Sequence, residues 1–178
     1  MMIKPARLSI MLSFLLSFLY IEGTHAHGWT AYPIARQAVC AEDGGYWSST
    51  DGSTIPNQAC RSAYLQSGVL PFVQANEFSI NITDYLNMSA VMAAIPTGLL
   101  CSAGAPSKSG MDIPSSSWQK TKIAPGTFKL RWKATAAHNP SYWQIYLSKP
   151  EFNAALKQLG WDDLELINNY GNIPVVSG

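Results

Sequence analysis

Charge is scarce in this chain. Only 13% of its 178 residues are Asp, Glu, Lys or Arg, and the formal net charge is +1. No basic cluster of the kind that grips a phosphate backbone is available, which argues against nucleic acid as a partner. Cysteine is scarce as well. Cys40, Cys60 and Cys101 are three, so complete pairing within one chain is excluded: one thiol is free, pairs between chains, or has lost its partner. There is no internal repeat, no low-complexity tract and little long helical periodicity. The longest apolar run, Leu8 to Tyr20, is shorter than the ~20 residues that cross a bilayer.

That run has a different use. Lys4 and Arg7 precede it, and a short polar exit, Ile21 to Ala26, follows and ends in a small residue. This is the three-part layout of a secretory signal. Residues 1–26 are read as that signal and residues 27–178 as one domain, large enough for a real core. The signal takes Lys4, Arg7 and Glu22 with it, so ten basic and ten acidic residues remain. Export implies an oxidising compartment, and no membrane attachment once the signal is cut. Asn81-Ile82-Thr83 and Asn87-Met88-Ser89 are N-glycosylation acceptors; Asn139 is blocked by Pro140.

What the chain does contain is short alternating segments between long loops. In Thr127 to Ala134 (TFKLRWKA), Phe128, Leu130, Trp132 and Ala134 point one way and the three cations the other. Period two over eight residues predicts a half-buried strand with its apolar face on a core. Trp143 to Ser148 is a second candidate strand, and Glu77 to Ile82 a third. His27 to Gln37 reads as an extended start. Cys60 to Val73 holds a short helix, and the stretches 41–53 and 102–117 read as loop. Tyr170 falls in a loop-like NNYGN. The pattern points to an all-β protein, an antiparallel β-sandwich. Aromatics at 11% beside so little charge suit a neutral, ring-rich partner such as a polysaccharide.

Two histidines survive cleavage, His27 and His138. The plain reading of His138 is a loop histidine with no metal. His27 alters that, because a cut after Ala26 makes it the first residue of the mature chain. Its α-amine, with an ordinary pKa of about 7.7–8.0, and its ring can chelate one metal together. A second imidazole brings the donors to three nitrogens. Three nitrogens in a T suit tetragonal Cu(II) with open positions, whereas the rival, zinc, prefers a tetrahedron.

The segments HGWTAYPIARQAVC, IPTGLLCSAG, WKATAAH and WDDLEL resemble successive landmarks of the lytic polysaccharide monooxygenases, in their bacterial and viral type once called chitin-binding proteins. The chain is also similar to insect-virus spindle proteins and to an insecticidal chitin-binding protein of ferns. The landmarks run from His27 to about Leu166. The resemblance implies a fibronectin-III- or immunoglobulin-like sandwich with long loops and short helices. It implies one copper ion held by His27, through amine and ring, and by His138. These two are then the metal-binding and catalytic residues.

By the same resemblance Ala136 is the small residue beside an axial copper position, and Glu77 a nearby acid; an ordinary strand-edge charge is the alternative for Glu77. Tyr64 matches an aromatic on the flat binding surface, or else is a partly buried core tyrosine. Trp29 is expected to pack. Cys40 and Cys60 match a family disulfide. The implied activity is oxidative cleavage of crystalline chitin or cellulose at C1 or C4 by a monomer, with an external electron donor and oxygen or hydrogen peroxide. A non-catalytic chitin-binding, insecticidal or defence protein on the same scaffold is the alternative.

The chain departs from the family at its C-terminus. Relatives continue past DLEL with further strands, one carrying an aromatic at the axial side of the copper. Here the sequence ends at Ile173-Pro-Val-Val-Ser-Gly178. The expectation is a C-terminally short domain with an unpaired sheet edge and exposed core surface, and a partner for Cys101 in the absent part.

Overall fold

A computed structural model describes residues 27–137, 139 and 141–174. The leader read at 1–26 and the expected ligand His138 lie outside the described residues.

The first strand, β1 (His27–Tyr32), leads into helix α1 (Arg36–Asp43), so the extended start is half the length the sequence suggests. Helices α2 (Gln58–Ser67) and α3 (Leu70–Val73) follow where one helix was expected. Asn57 starts α2: its side chain accepts hydrogen bonds from the amides of Ala59 (2.8 Å) and Cys60 (3.1 Å), which the helix leaves unpaired. Gly68 ends it in the left-handed region at φ 66°. The region 77–82, expected as a strand, is irregular. A helix that the sequence reading missed, α4 (Met88–Ala94), is capped by Asn87. A 3-10 segment, Pro106–Asp112, then leads towards β2 (Arg131–Ala136), β3 (Ser141–Ser148) and β4 (Leu164–Ile173).

The strands pair as β1–β2 and β3–β4, both antiparallel. Trp132 of β2 meets Trp143 of β3 edge to face, with ring centroids 5.1 Å apart, so the two sheets face one another. The fold is thus the expected antiparallel β-sandwich with long loops and short helices. β2 begins four residues later than the alternation predicts and runs on to Ala136. β4 was missed altogether. NNYGN reads as a turn, but Tyr170 is the extra residue of a bulge opposite Trp143 and Gln144, and Gly171 supplies the positive φ (64°).

The main core is not between the sheets. Ile55, Ala59, Ala63, Phe72, Met111 and the Cys40–Cys60 disulfide form a buried cluster within the helical layer. Gly110 fits there because it has no side chain: a Cβ would collide with the Ala63 carbonyl oxygen. Between the sheets only Ala134 of the alternating strand is buried, while Trp132 is 41% exposed. The apolar face of that strand, expected on a core, instead lines an open cleft of about 890 Å³ with Trp143, Ile145, Ile167 and Tyr170.

Candidate metal centre at the first strand

The register of β1 against β2 places Ala136 opposite His27. Gly28 pairs with Ala134, so Thr135 is the extra residue of a bulge, a device that re-aims neighbouring side chains. Gly28 permits the close approach: a Cβ there would stand 2.5 Å from the Lys133 carbonyl oxygen and 2.8 Å from Trp132 Nε1.

A short loop crosses this bulge. The Gly28 amide donates to the Asn76 carbonyl (2.8 Å), and Asn76 Nδ2 donates to the Thr135 hydroxyl (3.3 Å). The next residue, Glu77, carries its Oε1 to 3.9 Å from His27 Nε2. Both side chains are partly exposed, 27% for His27 and 39% for Glu77. His27, Ala136 and Glu77, which the family resemblance assigns to one site, therefore meet at one place on the surface.

Most of the other residues lie on different elements, Trp29 of β1 excepted. Tyr64 is half-buried on the helical layer. Its hydroxyl donates to the Ser49 carbonyl (2.6 Å) and its ring packs on Phe72 with centroids 5.9 Å apart. Trp29 lies under the Lys133 ammonium, 5.1 Å from the ring centroid. Asn81 and Asn87 are exposed, and Asn87 also serves as the α4 cap. Cys101 keeps a free thiol, and burial pushes its pKa up. Sequence reading passed over Trp47, 71% exposed on a 3-10 turn (Tyr46–Ser48) and edge-to-face with Tyr46. The signal was present, an aromatic pair after two glycines, but composition alone does not separate an exposed ring from a buried one.

Among the described residues no three His, Cys, Asp or Glu side chains form a metal-binding group. The expected donor set includes His138, beyond those residues. What is described fits a nitrogen-bound metal at the surface: an accessible imidazole, a carboxylate beside it and a methyl group on the cross-strand partner, which takes little room.

Fold and site together define a β-sandwich that presents a histidine from the start of its first strand. A family model described as "Lytic polysaccharide mono-oxygenase, cellulose-degrading" matches residues 27–176. The chain belongs to that family. It is 31% identical over 189 residues to a spindolin of Choristoneura biennis entomopoxvirus, a match covering 87% of this chain and 55% of the relative. It is 33% identical over 163 residues to a lytic cellulose monooxygenase of Streptomyces ambofaciens, covering 89% of this chain and 43% of that protein. The chain thus spans about half the length of the curated relatives it matches. Among solved structures, the fusolin spindles of Anomala cuprea entomopoxvirus superpose with TM-score 0.73 at 32% identity, covering 83% of this chain and 69% of fusolin.

Proposed function

We propose that this chain is a secreted, copper-dependent lytic polysaccharide monooxygenase acting on crystalline chitin or cellulose. The observation that carries the reading is the placement of His27. It starts both β1 and the family match, and it stands against Ala136 and Glu77. Cleavage after Ala26 gives His27 a free amine beside its ring, and His138 supplies the third nitrogen. Copper held by these donors would supply one-electron redox chemistry for hydrogen removal at C1 or C4 of the glycan. An external reductant and oxygen or hydrogen peroxide are the co-reactants.

The chain's own groups do the positioning. β1 fixes the His27 backbone in the ladder, so the imidazole approaches the substrate from a rigid strand. Ala136 keeps the space opposite His27 free of bulk. Glu77, near the imidazole, is placed to accept a hydrogen bond from a co-reactant at the site. Trp47, exposed on its 3-10 turn, offers a ring face to a flat glycan surface, whereas Tyr64 is held against the core by Ser49 and Phe72.

The test uses the mature protein and a form with one residue left before His27. The extension turns the amine into an amide but keeps every side chain. Copper titration with electron paramagnetic resonance should show a three-nitrogen site only in the mature form. Release of oxidised oligosaccharides should need reductant, copper and a correct N-terminus. Equal binding and cleavage by the extended form would reject the reading. A second reading, glycan binding without cleavage, is favoured by the exposed Trp47, since stacking needs no metal. Chitin pull-down without any oxidised product would establish it.

A further inference from the structure

The 3-10 segment Pro106–Asp112 buries a lysine. Lys108 is only 6% exposed, yet no carboxylate of the described residues lies within ion-pair distance of its ammonium. Its ammonium donates to the backbone carbonyl of Glu77 at 2.6 Å and lies 4.8 Å from the Phe78 ring centroid. Burying a cation is costly unless its hydrogen bonds are worth the desolvation. Here burial lowers the Lys108 pKa, and the Glu77 charge opposes that shift.

The segment that holds Lys108 is fixed at several points. The Gly110 amide donates to the Ser67 hydroxyl (2.7 Å). Asp112 Oδ1 accepts from the amides of Cys101 (2.7 Å) and Ser102 (3.1 Å). Arg36 Nη1 donates to the Met111 carbonyl (2.6 Å). Lys108 therefore stands in the frame of the disulfide-stapled helical layer, while the Asn76 bonds to Gly28 and Thr135 tie the same loop to the strands. The loop carrying Glu77 is held from both sides of the molecule.

We propose that Lys108 is a positioning residue, whose buried ammonium grips the Glu77 carbonyl and thereby sets the Glu77 carboxylate beside His27. A charge-assisted hydrogen bond is about twice as strong as a neutral one, and it acts on the backbone of Glu77, one bond system removed from the side chain that matters. The inference rests on the oxidative function proposed above for this site, but its central measurement does not.

In metal-free mature protein, Lys108→Met should speed hydrogen exchange of the Gly28 amide about tenfold. It should also lengthen the His27–Glu77 separation seen by crystallography, with a cooperative melt retained. In the copper-loaded enzyme the same variant should lower kcat about tenfold and leave KM for the glycan and copper affinity unchanged. Lys108→Arg should restore most of the loss. In a Glu77→Gln background, Lys108→Met should cost nothing further, because it acts through that carboxylate. An unchanged Gly28 exchange rate and separation, or an equal loss of kcat with and without Glu77, would overturn the proposal. If Lys108→Met does not fold, Lys108→Gln, which keeps a shorter donor, decides it by the same exchange rate and double-mutant comparison. Should the wild type release no oxidised product, the functional reading fails while the metal-free measurements still decide the role of Lys108.

Discussion

His27 and Ala136 are direct partners across the β1–β2 ladder, and the bulge at Thr135 lies immediately beside them. Cross-strand partners carry Cβ atoms about 4.5–5.5 Å apart, so the methyl of Ala136 marks how much room the imidazole has on that side. Ala136→Leu should fill that room. Copper affinity is expected to fall about tenfold or more and reductant-dependent cleavage with it. The melting temperature should move little, because Ala136 is only half-buried. Isothermal titration with copper beside a thermal melt checks both halves. An unchanged affinity would show that the methyl is not part of the site.

The Cys40–Cys60 bond, with a sequence separation of 20, lies at the centre of the helical-layer core. Replacing both by alanine should cost about 3 kcal/mol in the chain-entropy account, plus a smaller packing loss. Urea denaturation of the double variant measures it. A loss below about 1 kcal/mol would mean that the unfolded chain is already restrained there.

Asp112 gives an unusual pH dependence. Burial raises its pKa despite hydrogen bonds from Ser102 and Cys101, and Oδ2 has no hydrogen-bond partner among the described residues. The folded protein therefore keeps this proton at pH values where the unfolded chain has released it. Its stability contribution is full below the ordinary carboxylate value and is lost as pH rises through the raised one. Asp51 and Asp163 run the other way, since hydrogen bonds from Ser53 and from Lys157 depress them and their contribution is lost as pH falls. Asp112→Asn keeps one acceptor oxygen and removes only the Asp112 share. Stability of the variant minus that of the wild type should rise with pH across that acidic window. A flat or falling difference in urea midpoints would contradict the burial argument.

The cleft between the sheets should bind apolar dye in the folded state. Trp132, Ile167 and Tyr170 are 41%, 46% and 59% exposed around it, and clustered apolar exposure of this kind takes up such ligands. Fluorescence of ANS should rise on adding native protein and fall to about half with Ile167→Lys, while the melting temperature changes by less than about 3 °C, as expected for a change of well under 1 kcal/mol. No enhancement below the melt would mean that the cleft is closed in solution.

Much of the architecture was legible in short-range pattern. Alternation located most of β2, because a strand with one apolar face writes a period of two whatever it packs against, and the candidate strand at Trp143 to Ser148 lies within β3. Family landmarks added the disulfide pair, and the layout before His27 gave the expectation that it begins the mature chain. The sequence could not reveal β4. Its Asn and Gly residues carry turn chemistry, and pairing with β3 along its length turns them into a bulged strand. Nor could alternation say that Leu130 and Trp132 would face a cleft rather than a core, since a period reports a face and not what covers it.

The site divides in the same way. His27 and His138 were named from residue type and position, because the chemistry of an N-terminal amine and two imidazoles is local to those residues. That Glu77 comes within 3.9 Å of His27 across fifty residues of chain was anticipated only through the family resemblance; residue type and periodicity carry no sign of it, and tertiary structure decides it. Around it lie a bulge at Thr135, a loop bonded to Gly28, and a lysine that donates to the Glu77 carbonyl from the 3-10 segment. Each of these is a contact between segments distant in sequence, and such contacts are fixed by the folded backbone and leave no periodic trace in the chain.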